Sequence, residues 1–146
     1  MPKFERDVEI NAPVEKVWQV ITNPKYWPQW FPGIESVADA SPVSQGSRIE
    51  WTSGGKTGQA TIAKLEPMQR LEVLTQLGSD QDQHVFVLHP SGGFLGLNAD
   101  ECKVEYALDT LMGGGILGDF IAGGNPNDAL RVKNATNLLR KLVESL

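Results

Sequence analysis

Cysteine is nearly absent. Cys102 is the single thiol in 146 residues, so neither an internal disulfide nor a multi-thiolate zinc site can form. Histidine is almost as scarce: His84 and His89 stand five apart, and on a strand that spacing turns them to opposite faces. No cluster of His, Asp and Glu has ligand spacing, and neither a metal nor any other cofactor is expected. No apolar run approaches the roughly 20 residues of a membrane-spanning helix. The opening Met1–Asp7 carries no apolar signal segment. Positive charge is in short supply, with 13 Lys and Arg against 18 Asp and Glu and a net charge of −5, which argues against a nucleic-acid partner. What is present is ordinary for a folded domain: 40% hydrophobic and 21% charged residues. A chain of this size can bury roughly two-thirds of its surface. The expectation is one cytoplasmic domain over residues 1–146, without stable membrane insertion and with no oligomeric state implied.

Phe4, Arg6, Val8 and Ile10 alternate with Lys3, Glu5, Asp7 and Glu9, which predicts a first strand with one wet face. Pro13 and Glu15 suit a helix start, and Val14, Val17, Trp18 and Ile21 form one apolar stripe before Asn23-Pro24 ends it. Tyr26, Trp27, Trp30 and Phe31 then crowd among three prolines, so only a single helical turn fits. Runs at 34–42, 46–53, 57–66, 70–78, 83–89 and 100–112, separated by short turn signals, predict an antiparallel meander. A glycine-rich stretch, Gly113–Gly124, precedes a final helix that Asn125 or Asn127 can cap. Its expected apolar stripe is Val132, Ala135, Leu139, Leu142 and Leu146, flanked by Leu138 and Val143. This order predicts an α+β domain whose long sheet curls over the terminal helix.

The segments Val8–Trp18, Thr22–Gly33, Gly46–Trp51, Leu65–Leu71 and Ala135–Glu144 resemble the helix-grip superfamily. That group includes the pollen allergen Bet v 1, START-type lipid-transfer domains and bacterial polyketide cyclase/dehydrase-like proteins. The resemblance spans nearly the whole chain. It implies a seven-stranded curved antiparallel sheet gripping the C-terminal helix, with two short helices after the first strand. It further implies a cavity between sheet and helix for a small hydrophobic ligand such as a lipid, sterol or polyketide-like aromatic. The same fold hosts many tasks, so the side chains must decide between them.

Strand parity groups Ile49 with Trp51, Val73 with Thr75, Phe86 with Leu88, and Val104 with Tyr106 and Leu108. With the resemblance, these sets are assigned to the face beneath the helix. The candidate ligand-binding residues are Trp51, Val73, Thr75, Phe86, Leu88, Val104, Tyr106 and Leu108, with Trp30 and Phe31 at the mouth and Leu117 and Phe120 as lid residues. The competing reading of the aromatics is plain core filling. His84 shares parity with Phe86 and could pair with a ligand, but a surface or strand-end position is the expectation. Cys102 reads as a small buried thiol, and Arg131, Lys133, Arg140 and Lys141 as a solvated helix face. No catalytic signature is present, and enzymatic activity is left open. A carrier of a hydrophobic ligand is the leading expectation, and a cyclase, aromatase or dehydratase acting in the same cavity is the alternative. A protein-interaction module ranks last.

Overall fold

The computed structural model describes residues 3–38, 41–91, 100–112 and 126–146. Strand β1 (Lys3–Ile10) is followed by α1 (Val14–Ile21), a 3₁₀ turn (Pro24–Tyr26) and the four-residue α2 (Trp27–Trp30). Strands β2 (Ser36–Val37), β3 (Arg48–Ser53), β4 (Lys56–Glu66), β5 (Arg70–Leu77), β6 (Asp80–Ser91) and β7 (Glu101–Met112) come next, and helix α3 (Pro126–Ser145) ends the chain. The sheet has seven strands in the order β1-β7-β6-β5-β4-β3-β2, all antiparallel. Six consecutive strands form a meander, and β1 closes onto β7.

The expected strand over 34–42 shrinks to Ser36–Val37. Glu35 and Ala38 still donate backbone N–H groups to Thr52 and Glu50 at 2.9 Å, but Pro42 has no N–H to continue such a ladder. In β4 the register shifts between Ile62 and Lys64, so Ala63 and Lys64 both face outward. This bulge returns half-buried Leu65 to the inner side, opposite Leu71.

Pro13 caps α1 with an extended backbone, and Val14, Val17, Trp18, Val20 and Ile21 are buried. The Trp27 indole N–H donates to the Ile21 carbonyl at 3.0 Å, which ties α2 beneath α1. Helix α3 packs mainly on β1 and also touches α2 and β7. Arg6 on β1 donates to Asn137 at 3.4 Å, and the Asn11 backbone N–H donates to Glu144 at 2.8 Å. The buried stripe of α3 is Val132, Ala135, Thr136, Leu139 and Val143. Leu142 is half-buried and packs against the core beside Val143, whereas Leu138 and Leu146 are exposed, so the expected stripe holds as far as Leu142 and loses Leu146. Steps of three and four residues keep one side of a helix with 3.6 residues per turn against the sheet.

Trp51 lies across Gly58, its direct partner on β4. A Cβ at Gly58 would sit 2.5 Å from the Gln76 carbonyl oxygen and 2.8 Å from the Trp51 ring. Gly58→Ala is therefore expected to destabilise the fold by about 1–3 kcal/mol, read by urea unfolding, because backbone as well as an indole must move.

Candidate functional site

All ten described ligand-binding candidates are buried: Trp30, Phe31, Trp51, Val73, Phe86, Leu88, Val104, Tyr106 and Leu108 belong to one apolar core, and Thr75 is a buried polar residue. Leu117 and Phe120 lie outside the described residues. Trp30 and Phe31 come from α2 and its C-terminal cap, and their rings pack at 5.2 Å between centroids. Trp30 meets Phe86 edge-on at 5.3 Å, and Phe86 stacks on Tyr106 at 4.5 Å. This end of the core is a plug of ring on ring. Trp30 and Phe31 also border a groove of about 220 Å³ between α2 and the first half of α3, together with Pro28, Gly33, Arg131 and Leu138.

The expectation for His84 was wrong. It has no solvent exposure and stands at the centre of the inner face. Its Nε2 lies 2.9 Å from Thr75 Oγ1, and its Nδ1 lies 2.6 Å from the Tyr106 hydroxyl. The Phe31 ring meets it edge-on at 4.7 Å. Antiparallel registry makes the trio: His84 stands opposite Val73 on β5 and Leu108 on β7, which puts Thr75 and Tyr106 two residues along on the same face. Parity with Phe86 and Leu88 was the readable signal. It was outweighed by the usual partial exposure of histidine.

Burial and, second, the nearby Arg131 guanidinium lower the His84 pKa to about 3. The imidazole is therefore neutral at working pH, with one donor and one acceptor nitrogen. Arg131 is not simply solvated: its guanidinium pairs with Asp82 at 3.3 Å, joining α3 to the inner side of β6. Lys133 and Lys141 are exposed as expected, and Arg140 is half-buried.

Two polar atoms on the candidate wall stand without partners. The indole Nε1 atoms of Trp30 and Trp51 are both buried and make no hydrogen bond. Cys102 is buried, and desolvation pushes its thiol up to about 11, which suppresses the nucleophilic thiolate. Among the described residues, no group of three or more His, Cys, Asp or Glu side chains is arranged to hold a metal. No described helix is long and apolar enough to cross a membrane.

Residues 1–142 match the family described as polyketide cyclase / dehydrase and lipid transport. No curated protein matches the chain. Similar solved structures include DynU16, a protein in the dynemicin biosynthetic locus, with a TM-score of 0.69 and 20% identity over 99% of this chain. This chain spans 48% of that one. A START superfamily protein from Mycobacterium smegmatis has a TM-score of 0.65 at 16% identity, covering 99% of this chain and 96% of the other. A protein from Rhodobacter sphaeroides gives 0.68 at 18%, covering 99% and 93%. At these identities the likeness is one of fold: a curved sheet gripping a terminal helix.

Because folded His84 resists protonation while unfolded His84 does not, the unfolded chain binds the extra proton between about pH 6.5 and 3. This contribution to stability is level above that window and falls on acidification through it, by up to about 1.4 kcal/mol per pH unit. Urea unfolding at a series of pH values should show a shallower acid slope for His84→Gln than for the wild type. Equal slopes would place the acid sensitivity elsewhere.

Proposed function

Since the chain belongs to the polyketide cyclase / dehydrase and lipid transport family, we propose that it binds a small hydrophobic ligand between the concave face of the sheet and α3. The observation that carries this reading is the pair of buried indole N–H groups on Trp30 and Trp51 that have no partner. Leaving such a donor unmet costs about 1–3 kcal/mol, and ligand oxygens would recover it. The surrounding wall of Val73, Phe86, Leu88, Val104 and Leu108 supplies apolar area. Burying about 300 Å² of ligand surface yields a gross ~7 kcal/mol, so micromolar affinity needs only modest help from hydrogen bonds. Few polar groups on a mostly apolar wall are what orient a greasy molecule in a small-molecule site.

A second reading adds chemistry in the same space, a cyclase, aromatase or dehydratase step on a polyketide-like substrate. It is favoured by the way Thr75 and Tyr106 flank His84 within hydrogen-bond reach. A hydroxyl bonded to a neutral imidazole can polarise a substrate carbonyl while the ring adjusts its own proton. The wall would hold a floppy chain in a reactive shape.

Two measurements test these readings. Displacement of a fluorescent apolar probe by sterols, fatty alcohols and flat aromatic ketones should saturate at micromolar concentrations; no saturable binding across the panel overturns the carrier reading. On a poly-β-ketone substrate, Tyr106→Phe should lower kcat by about 10²-fold with KM little changed. Unchanged kcat in that variant overturns the enzymatic reading and leaves the carrier.

A further inference from the structure

We propose that the convex face of the sheet carries a second binding site, an open groove across β1, β7 and β6 that takes an organic cation with its ammonium group on an aliphatic body. The groove lies outside the space between sheet and α3, so it stands whether or not the carrier reading does.

Arg6 meets Asn137 of α3, so the even-numbered side chains of β1 face the helix and the odd-numbered ones, Glu5 and Asp7, face the other way. Registry carries that outer face across the sheet. Glu5 stands opposite Ala107 on β7, and Ala107 stands opposite Val85 on β6. In the neighbouring row Asp7, Glu105 and Val87 align in the same way. These side chains border a depression of about 320 Å³. That volume falls at the lower end of the range for small-molecule sites. Ala107 makes the dip, because a single methyl stands between the longer side chains of Glu5 and Val85.

The floor is apolar and the rim is acidic. Val85, Val87 and Ala107 are each half-buried, so an apolar strip meets water on an otherwise polar face. Glu5, Asp7 and Glu105 gather at the β1–β7 side. Asp7 and Glu105 are direct cross-strand partners of like charge, a pairing that destabilises a sheet. Lys103 lies 3.5 Å from Asp7 and 3.7 Å from Glu105, one cation between two anions. At the far side the Arg70 guanidinium is held by Glu72 at 2.6 Å. The carboxylates of Glu5, Asp7, Glu72 and Glu105 thus outnumber the cations of Arg70 and Lys103 around the groove. Exposed ion pairs exchange partners at little cost, so an incoming ammonium group needs no bare carboxylate to meet it. Lysine side chains show the same combination, with the stem laid on apolar surface and the charged head kept among polar groups. An alkylammonium ligand uses the floor and the rim together. An anion is repelled by the rim, and a neutral chain uses the floor alone.

The probe is 1,6-diaminohexane, a dication at about pH 7 whose charge bars it from the dry interior. Hexane-1,6-diol is its uncharged counterpart, and Mg²⁺ is a divalent charge without a methylene chain. Binding to the whole chain is read from backbone amide chemical shifts at low salt. The diamine should shift the amides of Glu5–Asp7, Val85–Val87 and Glu105–Ala107 saturably, with a Kd of about 1 mM or tighter. The diol and Mg²⁺ should each bind about tenfold or more weakly than the diamine. Glu5→Gln combined with Glu105→Gln should weaken the diamine about tenfold, and Ala107→Leu, which fills the dip without changing charge, several-fold. Thermal unfolding checks that these variants fold, and the comparison of the three probes on the unaltered chain needs no variant. Mg²⁺ or the diol binding as tightly as the diamine overturns the proposal, as does a diamine affinity that survives both changes. Shifts confined to another face, or no saturable shift at all, overturn it too.

Discussion

The concave face of a curled antiparallel sheet cannot be left in water, and this requirement organises the molecule. Ile49, Trp51, Ala60, Ile62, Leu71, Val73, Phe86, Leu88, Val104 and Leu108 all point to that side and are buried. Burying such side chains supplies the dominant favourable term of folding, at about 25 cal/mol per Å² of apolar area. Two covers do the work. Helix α3 lies along β1 with Val132, Ala135, Leu139 and Val143 turned inward, and the aromatic turn from Trp27 to Phe31 closes one end. Remove either, and a wide apolar surface meets solvent.

Within that dry interior, polar atoms are tolerated only on strict terms. His84 is accepted because both ring nitrogens have hydroxyl partners and because the ring carries no charge. Arg131 and Asp82 neutralise each other at the edge of the same face. Among the described residues, the exceptions are the indole N–H groups of Trp30 and Trp51 and one carboxylate oxygen of Asp109, all buried without a partner. Exceptions of this kind mark where a structure gives up stability for something else.

The convex face follows other rules. Several of its charges are solvated and loosely paired, as Lys103 with Asp7 at 3.5 Å and with Glu105 at 3.7 Å, and His89 with Glu105 at 3.0 Å, while Arg70 holds the largely buried Glu72 at 2.6 Å. The His89 hydrogen bond, more than Lys103, lowers the Glu105 pKa. Exposed pairs like these add little to stability. The two histidines therefore have opposite fates. His89 sits exposed beside the Glu105 carboxylate, and His84 sits buried among hydroxyls and rings.

Much of the architecture was legible in the chain itself. Two-residue alternation grouped the inner-face sets, and the family resemblance chose the side beneath the helix on which they are found buried, since a strand has only two sides. Pro24 and Pro28 limited the aromatic segment to short turns, and the turn-punctuated runs marked a meander. The end of the stripe on α3 was less determinate, because Leu146 continues the three- and four-residue spacing and yet lies exposed. The site was the least legible part. Thr75 and Tyr106 lie 9 and 22 residues from His84, and no local pattern says that three strands will bring them within 3 Å. Sequence alone thus determined most of the dry apolar residues, though not His84, and the order in which the elements come. Tertiary structure decided which of the dry residues would touch, because cross-strand registry, not chain spacing, sets those distances.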